Sequence, residues 1–410
     1  MDSKLVFVVD DDSEFKDLVG GLLQQAGHRV RCYTDGDPLL TKEIETDSPD
    51  CILLDIMLHG QLGLGLCREL RSQARYNNTK IIIVSAKPYE FDRKRAIDLG
   101  ADGYFVKPIR PDQFVQELHR IFQDPIELTF WGVRGTLPRS GADSVRYGGN
   151  TNCISLQFSK GPAFIFDAGT GLKVFSDHLM QQRRFPMEAK LFVSHPHWDH
   201  INGLPFFVPL YMQGNEFEIF GTPHGHLSTR EIISAQMDGV YFPIKIKEFG
   251  ARVYFRDITE GTVSFNYGPT VHTMLLMHPG NCLGYRVEYR GRVICYITDN
   301  ELYPSDSVKF NSVYYKQLLH FIRSADALII DSTYTEAEYS SKIDWGHSSI
   351  KNVVELAHRG EVKGLYLYHH DPDQNDVHID KKLEQAKQLL VSLGSKTACF
   401  APHEKQLFVF

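Results

Sequence analysis

The first 122 residues alternate short apolar runs with segments of helical periodicity, and this alternation constrains the fold more than any other feature. The apolar runs are Leu5–Val9, Arg29–Tyr33, Cys51–Leu54, Ile81–Val84 and Gly103–Val106. Between them, apolar residues recur three and four positions apart, as in Phe15, Leu18, Val19 and Leu22. Strands that alternate with helices pair in parallel, so the pattern predicts an α/β fold with a doubly wound, five-stranded parallel sheet.

The chain has 410 residues, which is too long for one ordinary domain of about 100–200 residues. Pro125 cannot continue the helix before it, and the texture after it changes to strands punctuated by glycine. We therefore predict a first domain over 1–122, a linker over 123–126 and a second domain over 127–410. Strands mixed with later helices in the second domain indicate a sheet sandwich flanked by helices.

Composition argues against a nucleic-acid-binding, a disulfide-bonded and a membrane-spanning protein. The formal net charge of −7 disfavours sequence-independent binding of nucleic acids, although an RNA partner stays open. The seven cysteines are scattered and never form a C-x-x-C pair, which is typical of reduced thiols. We find neither a signal peptide nor an apolar run of about eighteen residues that would span a membrane. These features predict a cytoplasmic protein without a membrane partner.

Polar side chains follow four of the five predicted parallel strands. The first strand ends at Asp10, Asp11 and Asp12, and the others end at Asp55, Ser85 and Lys107. The carboxyl ends of parallel strands meet at one edge of the sheet, so these groups should lie close together. Clustered carboxylates suit Mg²⁺, and one of them is a candidate phosphoryl acceptor.

Residues 4–122 resemble the receiver domain of bacterial response regulators. The resemblance implies a Mg²⁺ site made by Asp11 and Asp12, with Asp10 and Asp11 as the alternative pair, and a cis Pro108. It implies that a sensor histidine kinase or phosphotransfer protein is the partner, and that the chain can form a homodimer. The remaining implied roles are Asp55 as phosphorylation site, Ser85 as switch hydroxyl, Tyr104 as aromatic switch and Lys107 as phosphate-contacting lysine.

A second group of polar residues follows the apolar run Leu191–Val193. His195, His197, Asp199 and His200 fall within six residues. Imidazole and carboxylate suit a borderline divalent ion, and four such ligands are more than one ion comfortably takes from so short a loop. The pattern H-x-H-x-D-H therefore predicts two metal ions. The pair His224 and His226 lacks a following D-H, and we interpret it as a polar loop.

Residues 127–410 resemble the metallo-β-lactamase superfamily, whose fold is an αββα sandwich. Phe166–Gly171 and the H-x-H-x-D-H loop carry the resemblance, which implies an Asp167 that supports a ligand without touching metal. It implies two divalent ions, with Zn²⁺ favoured and Mn²⁺ or Fe as alternatives. The implied ligands are His195, His197 and His278 for one ion, Asp199, His200 and His369 for the other, and Asp299 between them. His370 is the alternative to His369 as a ligand of the second ion.

The activity expected of two such ions is hydrolysis. Ile330–Tyr334 and Gly346–Ser349 are similar to motifs of transfer-RNA 3′-processing endonucleases and related cyclic-nucleotide phosphodiesterases. This similarity implies three catalytic residues. They are Asp199, His347 as the proton donor, and Asp331, which orients His347. The alternative for His347 is a cap on the helix that begins near Ser348.

The long basic arm of the transfer-RNA enzymes has no counterpart in the sequence. We therefore predict a phosphodiesterase for a small or cyclic nucleotide, controlled by phosphorylation of Asp55. A lactonase or thioesterase is the first alternative, because those branches share the aspartate at position 299. A signalling adaptor without turnover is the second, and the complete ligand set argues against it.

Overall fold

The computed structural model describes residues 2–40, 48–58, 61–76, 79–183 and 185–410. The chain divides into two compact units, the first made of Met1–Pro125 and Phe158–Gly161, the second of Ile126–Gln157 and Pro162–Phe410. Within the first unit, Lys160 Nζ lies 3.0 Å from the buried Asp102 carboxylate. The predicted domain bounds of 1–122, 123–126 and 127–410 stay a proposal.

The first unit is a five-stranded parallel sheet between two layers of helices, which confirms the predicted α/β class. The strand order is β2-β1-β3-β6-β7. Its elements are β1 (Leu5–Val9), α1 (Ser13–Gln25), β2 (Arg29–Tyr33), α2 (Asp37–Leu40), β3 (Cys51–Asp55), β4 (Met57–Leu58), β5 (Gln61–Leu62), α3 (Gly63–Arg71), β6 (Lys80–Ser85), α4 (Glu90–Asp98), β7 (Gly103–Val106) and α5 (Pro111–Gln123).

Helices cover both faces of this sheet, and successive strand residues point to opposite sides. Val6 and Val8 pack with Phe15 of α1 and Phe114 of α5, while Phe7 belongs to the core on the other face. The central strands β1, β3 and β6 are therefore apolar over nearly their whole length, whereas the edge strand β2 exposes Arg29 and Arg31. Pro108 follows a cis peptide bond, as the resemblance implied.

The second unit contains two seven-stranded sheets, ordered β13-β12-β11-β10-β9-β8-β21 and β14-β15-β16-β17-β18-β19-β20. Its elements are β8 (Glu127–Gly132), β9 (Cys153–Gln157), β10 (Ala163–Phe166), α6 (Gly171–Gln182), β11 (Glu188–Phe192), α7 (Trp198–Ile201), β12 (Glu216–Gly221), α8 (Thr229–Gln236), β13 (Arg252–Asp257), β14 (Gly261–Ser264), β15 (Thr270–Leu275), β16 (Leu283–Tyr289), β17 (Arg292–Ile297), α9 (Ser312–Ile322), β18 (Ala327–Asp331), α10 (Glu336–Tyr339), α11 (Ile350–Arg359), β19 (Gly364–Tyr368), α12 (Asp376–Ser392), β20 (Ala398–Phe400) and β21 (Leu407–Val409).

Aromatic side chains hold the two sheets together. The ring centroids of Phe166 and Tyr285 are 5.4 Å apart, and those of Phe166 and Tyr296 are 5.6 Å apart. Helices α6 and α8 pack on the outer face of the seven-stranded sheet that contains β11. Helices α9, α11 and α12 pack on the outer face of the sheet that contains β17. The unit is thus the αββα sandwich that the resemblance implied. Among the described residues, we find no helix with the length and apolar composition needed to cross a bilayer.

Candidate metal centre

The segment after β11 carries four of the predicted ligands to one pocket, where His195, Asp199 and His200 are buried and His197 is exposed. His195 leaves the end of the strand, and the single turn of α7 presents Asp199 and His200. Burial lowers the pKa of His195, and its Nε2 atom has no hydrogen-bond partner among the residues that the structure describes. A buried, neutral imidazole without a partner for one nitrogen fits a metal ligand, since orphaned buried polar atoms are rare in proteins.

The first group of ligand atoms comprises those of His195, His197, His278 and Asp299, which all lie within 4.8 Å of one another. His278 Nε2 is 3.2 Å from His197 Nδ1. The other nitrogen of His278, Nδ1, donates to the carbonyl oxygen of Gly346 at 2.9 Å, which leaves Nε2 available as a ligand. These contacts assemble the set that we predicted for one ion.

The second group comprises Asp199, His200 and His369. Asp199 Oδ2 lies 3.1 Å from His200 Nε2 and 3.3 Å from His369 Nε2. The structure brings His369 into this group, whereas His370 belongs to no metal-ligand group of the described residues. His369, rather than His370, is therefore positioned to bind the second ion.

Asp299 faces both groups, with one carboxylate oxygen toward each. Its Oδ1 lies 3.2 Å from His200 Nε2 and 3.1 Å from His369 Nε2. Its Oδ2 lies 3.6 Å from both His195 Nε2 and His278 Nε2. Burial opposes ionisation, but the surrounding histidines hold the pKa of Asp299 well below its usual range. This geometry suits a carboxylate that bridges two cations.

Asp167 forms a hydrogen bond with the predicted ligand His200 and belongs to no metal-ligand group of the described residues, as the resemblance implied. Its carboxylate accepts hydrogen bonds from His200 Nδ1 at 2.8 Å, from Tyr296 Oη at 2.8 Å and from the backbone and hydroxyl of Ser194 at 2.7 and 2.9 Å. The side chain is fully buried. The bond to Nδ1 directs Nε2 of His200 toward the cluster, and such support raises the basicity of a ligand.

We expect Asp167→Asn to weaken metal binding by about 10- to 100-fold, the usual effect of removing a hydrogen-bond acceptor behind a ligand. An amide has one acceptor oxygen where Asp167 has two. Competition with a chelator of known affinity measures the change. Asp177→Asn on the exposed side of α6 is the matched control and should bind as the wild type does. Equal affinities of Asp167→Asn and the wild type would contradict the role of Asp167.

Two backbone groups and one side-chain amide complete the surroundings of Asp199 and His278. The backbone amide of Thr136 donates to Asp199 Oδ2 at 2.8 Å, and the side-chain amide of Asn152 donates to the same oxygen through Nδ2 at 3.1 Å. The sequence analysis did not single out Asn152, and it missed the Thr136 amide and the Gly346 carbonyl because every residue has such backbone groups. Thr136, Asp167, Asp299 and His369 share a backbone φ between 26° and 62°.

His347 stands beside the ligands and is paired with Asp331. Its Nδ1 donates to Asp331 Oδ2 at 2.8 Å, and its ring stacks on His369 with centroids 4.7 Å apart. Burial opposes protonation, but Asp331 outweighs it and raises the pKa of His347 to about 9. Ser349 is the N-cap residue of α11, so His347 is not the helix cap.

A cavity of about 590 Å³ opens onto the ligands and His347. His197, Asp199, His278, Asp299 and His369 all line it. By contrast, His224 and His226 are exposed in the loop after β12, and neither belongs to a metal-ligand group of the described residues. The arrangement can hold two ions at the floor of a cavity with a proton donor at its side.

The predicted magnesium and phosphorylation site lies at the carboxyl end of the parallel sheet of the first unit. Asp10, Asp11 and Asp55 offer ligand atoms within 4.8 Å of one another, and Lys107 Nζ lies 2.7 Å from Asp10 and 3.2 Å from Asp55. Asp12 instead caps α1 by accepting from the amides of Glu14 and Phe15. The structure thus brings together the alternative pair of Asp10 and Asp11, while the Asp12 carboxylate caps the helix, and the choice of magnesium ligands stays a prediction.

Ser85 and Tyr104 lie near the same end of that sheet. Ser85 is buried, and its hydroxyl oxygen accepts from the amide of Lys87 at 3.0 Å. Tyr104 Oη donates to the carbonyl of the same Lys87 at 2.8 Å. The two residues implied as a switch therefore share one loop residue as a partner.

Two family models match the chain. Residues 6–119 match the response regulator receiver domain, and residues 163–370 match the β-lactamase superfamily domain. The first region is 38% identical over 109 residues to the alkaline phosphatase synthesis transcriptional regulatory protein PhoP of Bacillus subtilis, covering 27% of this chain and 44% of PhoP. It is 36% identical over 118 residues to the transcriptional regulatory protein BaeR of Escherichia coli, covering 29% of this chain and 48% of BaeR.

The chain thus spans about half the length of these curated relatives. Among solved structures, the metallo-β-lactamase fold protein YhfI from Bacillus subtilis is similar with a TM-score of 0.50 at 15% identity. The similarity covers 70% of this chain and all of YhfI. At this identity the likeness supports the fold.

Proposed function

The chain belongs to the β-lactamase superfamily and joins that hydrolase fold to a response regulator receiver domain, and from this premise we propose that it is a receiver-controlled phosphodiesterase acting on a small or cyclic nucleotide. The observation that carries the proposal is the hydrogen-bonded pair of His347 and Asp331 beside the grouped metal ligands. A proton donor at this place serves a leaving alkoxide, which is the difficult group to expel from a phosphodiester.

Two divalent ions bound by these ligands would supply a hydroxide near neutral pH and neutralise charge on the phosphoryl oxygens. The protein residues do the rest. His347 gives the proton on Nε2 to the leaving oxygen, while Asp331 holds the Nδ1 proton and stabilises the charged ring. Thr136 and Asn152 hold the Asp199 carboxylate in place, and Asp167 does the same for His200.

Parallel assays test the substrate class. We expect protein purified without chelator to hydrolyse a cyclic nucleotide faster than a lactone, a thioester or a β-lactam. Lactone or thioester hydrolysis at an equal or higher kcat/KM would contradict the proposal and favour the carboxylic-ester branches. Full metal loading without turnover of any ester would favour a binding protein.

We also propose that phosphorylation of Asp55 by a sensor histidine kinase or phosphotransfer protein controls the hydrolase. A phosphoryl group adds charge next to Lys107, and both Ser85 and Tyr104 contact the neighbouring Lys87. Only Asp124–Ile126 separate α5 from β8 along the chain.

We expect beryllofluoride, which mimics the phosphoryl group, to change the hydrolysis rate or the solution mass of the wild type. A typical coupling of about 1–3 kcal/mol corresponds to a change of roughly 5- to 150-fold. Asp55→Ala is the control and should not respond. If neither rate nor mass changes in the wild type, the receiver does not control this hydrolase.

A further inference from the structure

Two of the three tryptophans of the chain line the cavity over the metal ligands. Trp198 is 79% exposed and Trp345 is 57% exposed, whereas Trp131 is buried in the core at 3%. Tryptophan is highly buried on average, because its ring has the largest apolar surface of any side chain. Two exposed indoles at one cavity therefore require an explanation other than core packing.

The fold holds the backbone that carries both rings. Trp198 begins α7 and stands between the predicted ligands His197 and Asp199. Trp345 lies in a loop that the buried Glu301 clamps on both sides, since its carboxylate accepts from the amides of Asp344 and Gly346 at 2.9 Å each. A ligand that stacks on these rings therefore does not have to order the backbone that carries them.

A cation accompanies one of the rings. Lys342 Nζ lies 3.8 Å from the centre of the Trp345 ring, in the geometry of a cation–π contact. The cavity volume of about 590 Å³ falls within the range of about 300–1,000 Å³ for small-molecule sites. An aromatic wall with an ammonium group suits a ligand that has both a flat ring and a negative charge.

We propose that Trp198 and Trp345 are specificity-determining residues that stack on the base of a nucleotide ester while its phosphate lies at the metal ligands. The assignment rests on the proposed phosphodiesterase function and adds to it the part of the substrate that is recognised. Every nucleobase has a π-face, so this contact selects for a base without selecting which base. The site thereby distinguishes nucleotide esters from phosphodiesters without a base.

The test compares cyclic adenosine monophosphate with glycerol cyclic phosphate, which has no base. We expect Trp345→Leu and Trp198→Leu each to raise KM for the adenosine ester by about 5- to 150-fold, the effect of removing one stacking contact. KM for the glycerol ester should change little, and Trp198→Phe should restore most of the affinity for the adenosine ester. Tyr254→Leu, which removes a 45% exposed ring on β13, is the matched control.

Metal content and tryptophan fluorescence complete the design. Each variant must bind as much metal as the wild type, since Trp198 adjoins two ligands. Adenosine monophosphate should quench the fluorescence of the wild type, ribose phosphate should not, and the double variant should lose the response. Quenching needs no turnover, so quenching without phosphodiester hydrolysis would contradict the proposed function and leave the stacking site standing.

Hydrolysis of both esters with equal KM changes in the tryptophan variants would overturn the stacking site. So would unchanged KM values for the adenosine ester in both Leu variants, or wild-type fluorescence that adenosine monophosphate does not quench. The phosphodiesterase proposal would survive each of these results.

Discussion

Replacing His197 with alanine is expected to reduce phosphodiester hydrolysis by roughly a thousandfold or more. His197 Nδ1 lies 3.2 Å from His278 Nε2 within the first ligand group. Loss of an ion there removes several kcal/mol of transition-state stabilisation, and each 1.36 kcal/mol is a factor of ten in rate. His197 is exposed, so the fold should tolerate the change. Initial rates and metal analysis of the purified variant measure the effect.

Two controls accompany this prediction, a second histidine variant and removal of metal from the wild type. His224→Ala removes an exposed histidine outside the ligand groups and should keep wild-type activity. Metal analysis of the wild type should approach two ions per chain in the second unit. A wild-type protein that stays fully active after exhaustive chelation would show that the ligand groups do not carry the reaction.

His347→Ala is expected to slow the hydrolysis of an ester with an alkoxide leaving group by about 10²- to 10⁴-fold, the usual range for general acid catalysis. A nitrophenyl phosphodiester should lose much less, since its leaving group needs little help from a proton. His347 is 8% exposed and pairs with Asp331 at 2.8 Å, which orients it toward the cavity that it lines. Steady-state kinetics on the two esters measure this difference.

Asp331→Asn provides the companion variant. If Asp331 acts through His347, its variant should show the same preference for the aryl ester, with a smaller loss. Equal losses on the alkyl and aryl esters for His347→Ala would identify His347 as a structural or binding residue. Circular dichroism of both variants establishes that they fold.

The residues of the metal centre that could be predicted from the sequence lie in a short motif or directly after an apolar run. Four ligands fall within His195–His200, and His278, Asp299 and His369 each come after an apolar run that proved to be a strand. The choice between His369 and His370 depended on the direction of each side chain at the strand end, which the spacing does not determine. The roles of these residues stay a proposal, although the structure brings the predicted ligands together.

Other features depended on competition between local interactions. Asp12 is a predicted magnesium ligand, and the structure shows its carboxylate engaged as the N-cap of α1. Helix α12 begins at Asp376 because Asn375 caps it by accepting from the amide of His378. Helix α6 begins at Gly171, the last residue of the Phe166–Gly171 motif, and the sequence analysis did not predict it.

The left-handed backbone at Thr136, Asp167, Asp299 and His369 has a consequence for stability. None of these residues is glycine, and each such conformation costs about 1–2 kcal/mol relative to the ordinary regions of the φ/ψ map. Two of the four are predicted ligands and the other two hold Asp199 and His200 in place. The centre thus contains four of the twelve non-glycine residues with positive φ in the described chain, at a place where like-charged carboxylates also converge. Ions bound there stabilise the folded chain by mass action, so the hydrolase trades intrinsic stability for a preorganised centre.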